Sequence, residues 1–579
     1  MLTFSGLVIG LSLWVLGLGL TCFAARLFGN RPRTRLELLG YGLLLGLGLG
    51  PAAIVAAAVF TGGPPPVAVT YGLIAAAAIS AVAIPGEWRK AGDAVVRVHP
   101  DNDAGGLGRA LQGLGVVGIL GFLGFAVFYA ASMPMHLFDP LYHFAYKGKL
   151  LMEEGLATES WMVPPPDAPQ TELLGRPITH PNYPPGLAGL HTLVGHLDGG
   201  FNADATRALM SLFVLGSAAL MWVELRRRSR GAAVLGTFLW VSLPLLYFSR
   251  PPENYIVWNT ETGPIEDEYV AQWAFSFETL LHNFKLFWLQ ASRVLTDTAW
   301  NGTEGKLPDG WTLDGAADLP LAAVPLAGVL ALWRCVDRRD DEFEVERGDG
   351  ADALIAGVCL GGATLIKNEG LALVGLSFAV MLAVGLLRSG QRGLAVGRWL
   401  AAGAVAAVVA WPWLSVRGQI PSIDEDYPLA IKGILGLAEL PEGTGKGTNH
   451  QPTELGQALA RIPIVLLGFV TSFVHVIRWH VLWPLFFAAL AWWTLRPRRL
   501  LQHGYAPLIL LVLGTMALYA VVLLVTPWDL AHLYGTTIPG RLLLHVAPLA
   551  LLIGVGLAYP RRSELKDTTR DAPWVSDDQ

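Results

Sequence analysis

The sequence predicts an all-α integral membrane protein with about thirteen transmembrane helices, extracytoplasmic loops and interfacial helices. Two observations lead to this fold class. Hydrophobic residues make up 53% of the chain and charged residues only 15%, with a mean hydropathy of +0.47, so the chain is more apolar and less charged than soluble domains. The apolar residues also occur in runs long enough to cross about 30 Å of hydrocarbon.

The apolar runs predict the spans in order. The first, residues 4–25, lacks a basic n-region and a small-residue cleavage site, so we expect a retained span. Further spans are predicted from about residue 205 and at residues 38–60, 67–84, 114–131, 232–248, 319–333, 353–366, 371–387, 400–416, 481–495, 506–526 and 542–559. Two other apolar segments are predicted to be interfacial helices. Residues 187–197 are too few to span, and a crossing by residues 462–479 would place the basic residues 496–499 outside.

Lys and Arg in short loops predict the orientation, because such loops favour the cytoplasm. Seven basic loops fall on one side of the predicted topology: residues 26–35, 87–109, 226–230, 334–339, 388–398, 496–499 and 561–562. The N-terminus and the loop that contains Asp139 are then extracytoplasmic, and the C-terminus is cytoplasmic. We therefore expect a multi-pass protein of the inner or plasma membrane with its functional site on the extracytoplasmic face.

Three parts of the chain are predicted. Residues 1–110 form additional N-terminal transmembrane helices, residues 111–560 form the main transmembrane domain, and residues 561–579 form a cytoplasmic tail. The main domain, which contains the candidate catalytic residues considered below, carries exterior loops at residues 132–204, 250–317 and 417–461. The formal net charge of −5 comes without a large basic cluster, so we expect no nucleic-acid partner. The three cysteines have no paired spacing for zinc or a disulfide framework.

An acid, a His and a Lys follow the fourth predicted span in the stretch FDPLYHFAYKGKLL, residues 138–151. On a helix, His143 and Lys147 share one face beside Asp139. Asp139 precedes a proline, so it is explained equally well as a helix N-cap. The cap does not explain the two cations. The alternative is that Asp139 acts as general base on an acceptor hydroxyl, while His143 and Lys147 receive a lipid-borne phosphate.

Polar residues recur wherever the chain returns to the predicted exterior side. The rigid turn HPNYPPG, residues 180–186, places His180 and Tyr183 over a pocket or is merely a turn into a helix. Asp318 opens a span, where a capping role explains it equally well.

Other ionisable residues lie at the predicted exterior ends of later spans. Lys367 and Glu369 lie at an exterior helix turn, where ionisable residues are functional candidates, although snorkelling would also satisfy them. Arg541 begins the last span against the charge bias, and a cation in that position indicates an anionic ligand such as phosphate.

Four pieces of the chain, in this order, resemble the GT-C superfamily of integral-membrane glycosyltransferases, the polyprenyl-phosphate-sugar-dependent enzymes related to protein mannosyltransferases and to aminoarabinose and lipopolysaccharide-core transferases. They are Asp139 with the pattern xxYHxxxKxxxL, HPNYPPG at residues 180–186, ADLPL at 317–321 leading to LIKNEGLA at 365–372, and RLLLHVAPLALL from Arg541. Together they cover about residues 113–559.

The resemblance implies a catalytic role for Asp139, with donor phosphate binding by Lys367 and Arg541, and less directly by His143 and Lys147. His180, Tyr183, Asp318 and Glu369 are the expected substrate-binding residues. No second acid adjoins Asp139, so no metal or other cofactor is expected and a divalent ion is doubtful. The partners implied are a polyprenyl-phosphate-sugar donor, membrane lipids and a lipid, glycan or protein acceptor.

The primary hypothesis is therefore an inverting-type membrane glycosyltransferase. The alternative is a secondary transporter or a lipid-linked-sugar flippase, which would place ionisable groups near the bilayer midplane on broken helices and show internal pseudo-symmetry. In this sequence the ionisable residues gather on one predicted face, and no two halves match. A membrane scaffold without activity is a third possibility.

Overall fold

The computed structural model of this protein describes residues 3–29, 33–93, 106–132, 135, 139–156, 183–247, 258–259, 263–264, 313, 316–336, 349–388, 392–420, 427–437, 452, 454–474, 479–495, 504–526 and 537–559. These residues are helical apart from turns, connections and one antiparallel pair of two-residue strands, β1 (Trp258–Asn259) and β2 (Gly263–Pro264).

The helices of the first half run in chain order from the N-terminus. They are α1 Phe4–Phe28, α2 Arg35–Thr61, α3 Val67–Ser80, a 3-10 turn Ala81–Ala83, α4 Ile84–Asp93, α5 Gly106–Ser132, a π-helical segment Asp139–Ala145, α6 Tyr146–Glu153, α7 Gly186–Asp198, α8 Ala203–Arg207, α9 Met210–Arg226, α10 Arg230–Val241 and α11 Pro244–Tyr247.

The second half continues in the same way after the two short strands. Its helices are α12 Asp318–Val336, α13 Gly350–Ala363, α14 Asn368–Arg388, α15 Arg392–Arg417, α16 Tyr427–Ile434, α17 Leu455–Ala460, α18 Ile462–Val474, α19 Leu482–Thr494, α20 Ala506–Val525, α21 Thr537–Leu544 and α22 Ala547–Ala558.

Among the described residues, ten helices are long and apolar enough to cross a membrane, or eleven if the bent pair α21–α22 is one span. Three further helices, α10, α13 and α19, are apolar but have only 10–17 residues. The chain is therefore a helical, multi-pass membrane protein, as the composition predicts. The predicted count of thirteen spans stays a prediction.

Two segments near the C-terminus differ from the predicted assignment. The segment Leu455–Val474 is long enough to cross, whereas an interfacial helix was expected at residues 462–479. The reason is that α17 leads into α18 with only Arg461 between them, and this extra turn falls in the stretch assigned to an exterior loop. Conversely α19, which was expected to cross, has only 13 residues.

Hydrogen bonds at the two ends of the α18 and α19 segment join it to neighbouring helices. The Arg461 guanidinium donates to the Thr526 carbonyl at the end of α20 (2.7 Å), and the Trp493 indole N–H donates to the Leu557 carbonyl at the end of α22 (3.3 Å).

One hydrophobic core unites the bundle, and it includes residues of α1 and α2 together with those of α7, α9, α12, α13 and α22. Helix α12 belongs to this core, and 94% of its apolar stretch is buried. Small residues allow close packing here: an added Cβ at Gly46 on α2 would overlap the Leu13 carbonyl oxygen on α1. The predicted division at residue 110 remains a prediction, although α2 packs deep inside the same core.

Helix α7 corresponds to the predicted interfacial segment at residues 187–197. A helix is present as predicted, and it is buried from Gly186 to Gly195. It packs on α2 and α6. A helix that is apolar on nearly all sides suits such a protein-surrounded position.

Buried ion pairs connect helices at the end of the bundle where α12 finishes, which we call the Arg334 end. Arg334 donates to Glu37 on α2 (2.6 Å) and to the Tyr41 hydroxyl (2.8 Å), and it also pairs with Glu224 on α9. Arg33 pairs with Asp349 (2.8 Å) and Asp352, which cap α13. This is the end that the basic loops assign to the cytoplasm, and the sequence did not reveal its acidic partners.

Candidate functional site

A buried ionic cluster lies at the other end of the bundle, and we call it the Asp318 cluster. It consists of Asp318, Lys367, Glu369, Arg541 and His545. Asp318 begins α12, Lys367 precedes α14, and Arg541 lies in α21. These residues are far apart in the sequence, and they meet because α12, α14 and α21 all begin at this end of the bundle.

Asp318 is the centre of the cluster and is fully buried. Its Oδ1 accepts hydrogen bonds from Lys367 Nζ (3.2 Å) and His545 Nε2 (3.1 Å), while its Oδ2 accepts one from Arg541 Nε (2.8 Å). A buried carboxylate with this many donors is held ionised and in one orientation. Asp318 was predicted to bind substrate, but this geometry favours a role in positioning the two cations.

Lys367 lies between the two carboxylates of the cluster. Its Nζ is 3.2 Å from Asp318 Oδ1 and 3.0 Å from Glu369 Oε1, and the residue is only 4% exposed. Burial opposes the charge on Lys367, but the Asp318 and Glu369 carboxylates outweigh burial and raise the pKa of the ammonium above its ordinary value. Lys367 therefore stays charged at neutral pH.

His545, a member of the cluster, and Tyr519, which is hydrogen-bonded to it, were not predicted from the sequence. The helix pair α21–α22 bends by 63° at a break that contains His545. Because Asp318 accepts from Nε2, the His545 Nδ1 is left as an acceptor for the Tyr519 hydroxyl at 2.8 Å. The available signal was the position of His545, one helical turn after Arg541.

Among the described residues, the Asp318 cluster is open to the surroundings at Arg541 and Glu369. The Asp318 and His545 side chains are fully buried, whereas the Arg541 side chain is 17% exposed and that of Glu369 is 22% exposed. Two carboxylates face two permanent cations, so the charges nearly balance. A ligand would therefore reach Arg541 and Glu369 first.

A second group of predicted residues comes together near the start of α7. The helix expected over residues 139–151 is present, as the π-helical segment followed by α6. Lys147 Nζ lies 5.4 Å from the centroid of the Tyr183 ring, and the His143 ring lies 6.2 Å from the same ring. All three residues are buried, and burial lowers the pKa of Lys147 to about 7.

One backbone hydrogen bond connects this second group to the segment before Lys367. The Gly186 N–H donates to the Leu365 carbonyl (2.6 Å), and an added Cβ at Gly186 would overlap that carbonyl oxygen. Tyr183 lies three residues before Gly186, and Lys367 lies two residues after Leu365. The two motifs HPNYPPG and LIKNEGLA are thus neighbours in the fold.

Some predicted site residues lie outside the described part of the chain. The backbone of Asp139 belongs to the π-helical segment, but its side chain is not among those described, and His180 lies outside the described residues altogether. The same holds for most of the predicted loop 250–317 and for the tail 561–579. The roles predicted for Asp139 and His180 stay predictions.

No group of three or more His, Cys, Asp or Glu residues in the described part of the chain is arranged to hold a metal ion. The cysteines Cys22, Cys335 and Cys359 are free and buried.

Comparison with known proteins does not assign the chain to a family. No protein-family model matches it, and no curated protein matches it. The fold and the Asp318 cluster define a multi-pass helical membrane protein with a charged site at one end of its bundle.

Proposed function

We propose that this protein is a membrane glycosyltransferase that moves a sugar from a polyprenyl-phosphate donor to an acceptor on the extracytoplasmic face. The observation that carries the proposal is the meeting of Lys367 and Arg541 on Asp318, at the end of the bundle opposite Arg334. Two cations fixed at one end of a bundle of apolar helices would provide a site for a lipid-borne phosphate.

In the reaction, an acceptor oxygen attacks the anomeric carbon of the sugar while the bond from that carbon to the phosphate oxygen breaks. Negative charge then develops on the departing polyprenyl phosphate. Arg541 and Lys367 stabilise this charge, and Asp318 and His545 keep both cations in place before the substrate arrives. Pre-arranged cations need no reorganisation during the chemical step.

The acceptor hydroxyl must lose its proton as it attacks. Asp139 is the proposed general base, because it begins the π-helical segment that carries His143 and leads into α6, which carries Lys147. His143 and Lys147 would assist phosphate binding, and Tyr183 and His180 would contact the sugar or the lipid. The burial of Lys147 and Tyr183 in one group supports a shared role for this segment.

A topology of thirteen passes accompanies the proposal. The ten long helices, the bent pair and the three short apolar helices give this number when α18 and α19 share one passage. An odd number of passes leaves the N-terminus and the C-terminus on opposite sides. With the basic loops in the cytoplasm, the Asp318 cluster is then extracytoplasmic.

The test incubates the purified full-length protein with a panel of polyprenyl-phosphate sugars and an acceptor mixture of lipids, glycans and peptides. Mass spectrometry follows the released polyprenyl phosphate and the glycosylated product. Asp139→Asn, Lys367→Met and Arg541→Gln should each reduce transfer at least a hundredfold, whereas the exposed Glu153→Gln keeps wild-type activity. Full activity in folded Arg541→Gln and Lys367→Met proteins would contradict the phosphate site.

One observation favours a second candidate, a proton-coupled or ion-coupled transporter. The break between α21 and α22 carries His545, which bonds to a buried carboxylate, and broken helices with ionisable residues are typical of transporters. Proteoliposomes separate the two functions. Accumulation of a solute driven by a pH or sodium gradient, without transfer chemistry, favours the transporter.

A further inference from the structure

Two acceptor atoms next to Lys367 are buried and accept no hydrogen bond from another residue of the described structure. They are the amide oxygen Oδ1 of Asn368 and the carboxylate oxygen Oε2 of Glu369. The other carboxylate oxygen of Glu369, Oε1, is 3.0 Å from Lys367 Nζ. Asn368 and Glu369 form the first turn of α14.

Unpaired acceptors of this kind carry an energetic cost. A buried polar atom without a partner loses its hydrogen bonds to water, and proteins satisfy most such atoms. Two of them on consecutive residues, beside the open side of the Asp318 cluster, therefore indicate a place that a ligand completes. Because both atoms only accept hydrogen bonds, the ligand must present donors.

The charges nearby distinguish a hydroxyl donor from an ammonium donor. The Glu369 carboxylate is already paired with Lys367, and the Asp318 carboxylate is paired with Lys367 and Arg541. An ammonium group that donates to Glu369 Oε2 would lie beside the Lys367 ammonium, which is bonded to the other oxygen of the same carboxylate, and the two positive charges would repel each other. Neutral hydroxyl groups donate hydrogen bonds without that repulsion.

We propose that Asn368 and Glu369 bind the hydroxyl groups of a neutral, unaminated sugar carried on the phosphate donor. This inference rests on the proposed function and adds the substrate class: the cations of the cluster hold the phosphate, and the first turn of α14 selects the sugar. Arg541 and Glu369, the two more exposed members of the cluster, then contact the two halves of one ligand.

The experiment compares binding of farnesyl phosphate with binding of glycosyl farnesyl phosphates, which are phosphodiesters with one negative charge, prepared with a panel of unaminated hexoses and pentoses. Titrations use the full chain in detergent. At least one of these unaminated-sugar esters should bind wild-type protein about tenfold or more tightly than farnesyl phosphate. Asn368→Ala should weaken binding of that ester about three- to tenfold while leaving farnesyl phosphate affinity within about twofold, as expected for one lost hydrogen bond.

Asn368→Ala is the decisive variant because Asn368 takes no part in the ion pairs of the cluster. Glu369→Gln tests the second acceptor, and the exposed Glu153→Gln is the control that should change neither affinity. Monodeoxy analogues of the preferred sugar provide a second readout. Wild-type protein should discriminate against one of them, and Asn368→Ala should lose part of that discrimination.

The outcomes separate this inference from the proposed function. If wild-type protein binds farnesyl phosphate but Asn368→Ala and Glu369→Gln leave the sugar contribution unchanged, the inference is overturned and the phosphate site survives. The inference is also overturned if wild-type protein prefers the ester of an amino sugar to every ester of an unaminated sugar. If wild-type protein binds neither farnesyl phosphate nor any ester, the proposed function itself fails.

Discussion

At the residue scale, Asp318 determines the geometry of the candidate site. Its two carboxylate oxygens receive three donors from Lys367, Arg541 and His545, and no part of its side chain is exposed. In the sequence, Asp318 is a candidate site residue because it begins a predicted span, and helix capping explains an Asp in that position equally well. Its hydrogen bonds to three side chains far away in sequence indicate a larger role than a cap.

Replacing Asp318 by Asn should therefore destabilise the protein. The amide keeps the shape of the side chain but loses the charge and directs N–H groups toward a cation. The buried Lys367 then loses one of its two carboxylate partners, and the partly exposed Arg541 loses its ion pair with Asp318. We expect a loss of roughly 3–5 kcal/mol in the free energy of unfolding. Thermal unfolding in detergent, followed by tryptophan fluorescence, measures it. The exposed Asp198→Asn should change stability by less than about 0.5 kcal/mol, and equal melting of both variants would contradict the assignment.

Lys147 provides a prediction about pH. Its pKa of about 7 in the folded protein lies below the ordinary value of 10.5. Between these two pH values the unfolded chain binds a proton that the folded chain does not, so this residue makes the free energy of unfolding rise with pH. The slope is at most about 1.4 kcal/mol per pH unit.

Unfolding experiments between pH 7 and pH 10 test this sign. Lys147→Met should remove the rising contribution, so its stability curve should be flatter than that of the wild type across the window. The neighbouring Lys149 is exposed, and Lys149→Met should keep the wild-type slope. Parallel curves for wild type and Lys147→Met would show that the ammonium titrates outside this range.

At the element scale, the contact between the start of α7 and the turn before α14 joins the two groups of site residues. The Gly186 N–H bonds to the Leu365 carbonyl, and the approach is possible only because Gly186 has no side chain. A backbone contact of this kind fixes the relative position of Tyr183 and Lys367 without a side-chain bond between them.

Gly186→Ala should disturb this contact. The added methyl group would overlap a carbonyl oxygen, which belongs to the backbone and has little freedom to move, so we expect a loss of about 1–3 kcal/mol in stability. Gly375 on α14 is a matched control, because an added Cβ there meets no atom within 4 Å. Gly375→Ala should be neutral or stabilise the helix slightly. Comparable melting of the two variants would argue against the close approach.

At the scale of the whole molecule, hydropathy and loop charge predicted the helical, multi-pass fold, and they singled out Lys367 and Arg541 because cations are unusual at the predicted exterior end. They did not reveal Tyr519, which lies in an apolar helix, or His545, which resembles an ordinary helical residue. Glu37 and Arg334 are 297 residues apart. Such pairings depend on which helices become neighbours in the fold. The hydrophobic periodicity along a single helix does not specify its neighbours.

The orientation of the bundle can be tested with cysteines. The native Cys22, Cys335 and Cys359 are fully buried, so they give little background in labelling. Ser132 is exposed at the end of α5, close to the end that carries Asp318, and Thr494 is exposed at the other end of the bundle. Both are small hydroxyl residues, so Ser132→Cys and Thr494→Cys are closely matched substitutions.

In right-side-out membrane vesicles, a membrane-impermeant maleimide should label Ser132→Cys within minutes and leave Thr494→Cys unlabelled until the vesicles are opened with detergent. The physical reason is the charge bias: the buried ion pairs of Arg334 lie at the Thr494 end, to which the sequence also assigns the basic loops, and translocation of basic loops is unfavourable. The reverse labelling pattern would place the Asp318 cluster in the cytoplasm. A phosphate site there would face cytoplasmic donors, and the extracytoplasmic transfer proposed for this protein would be excluded.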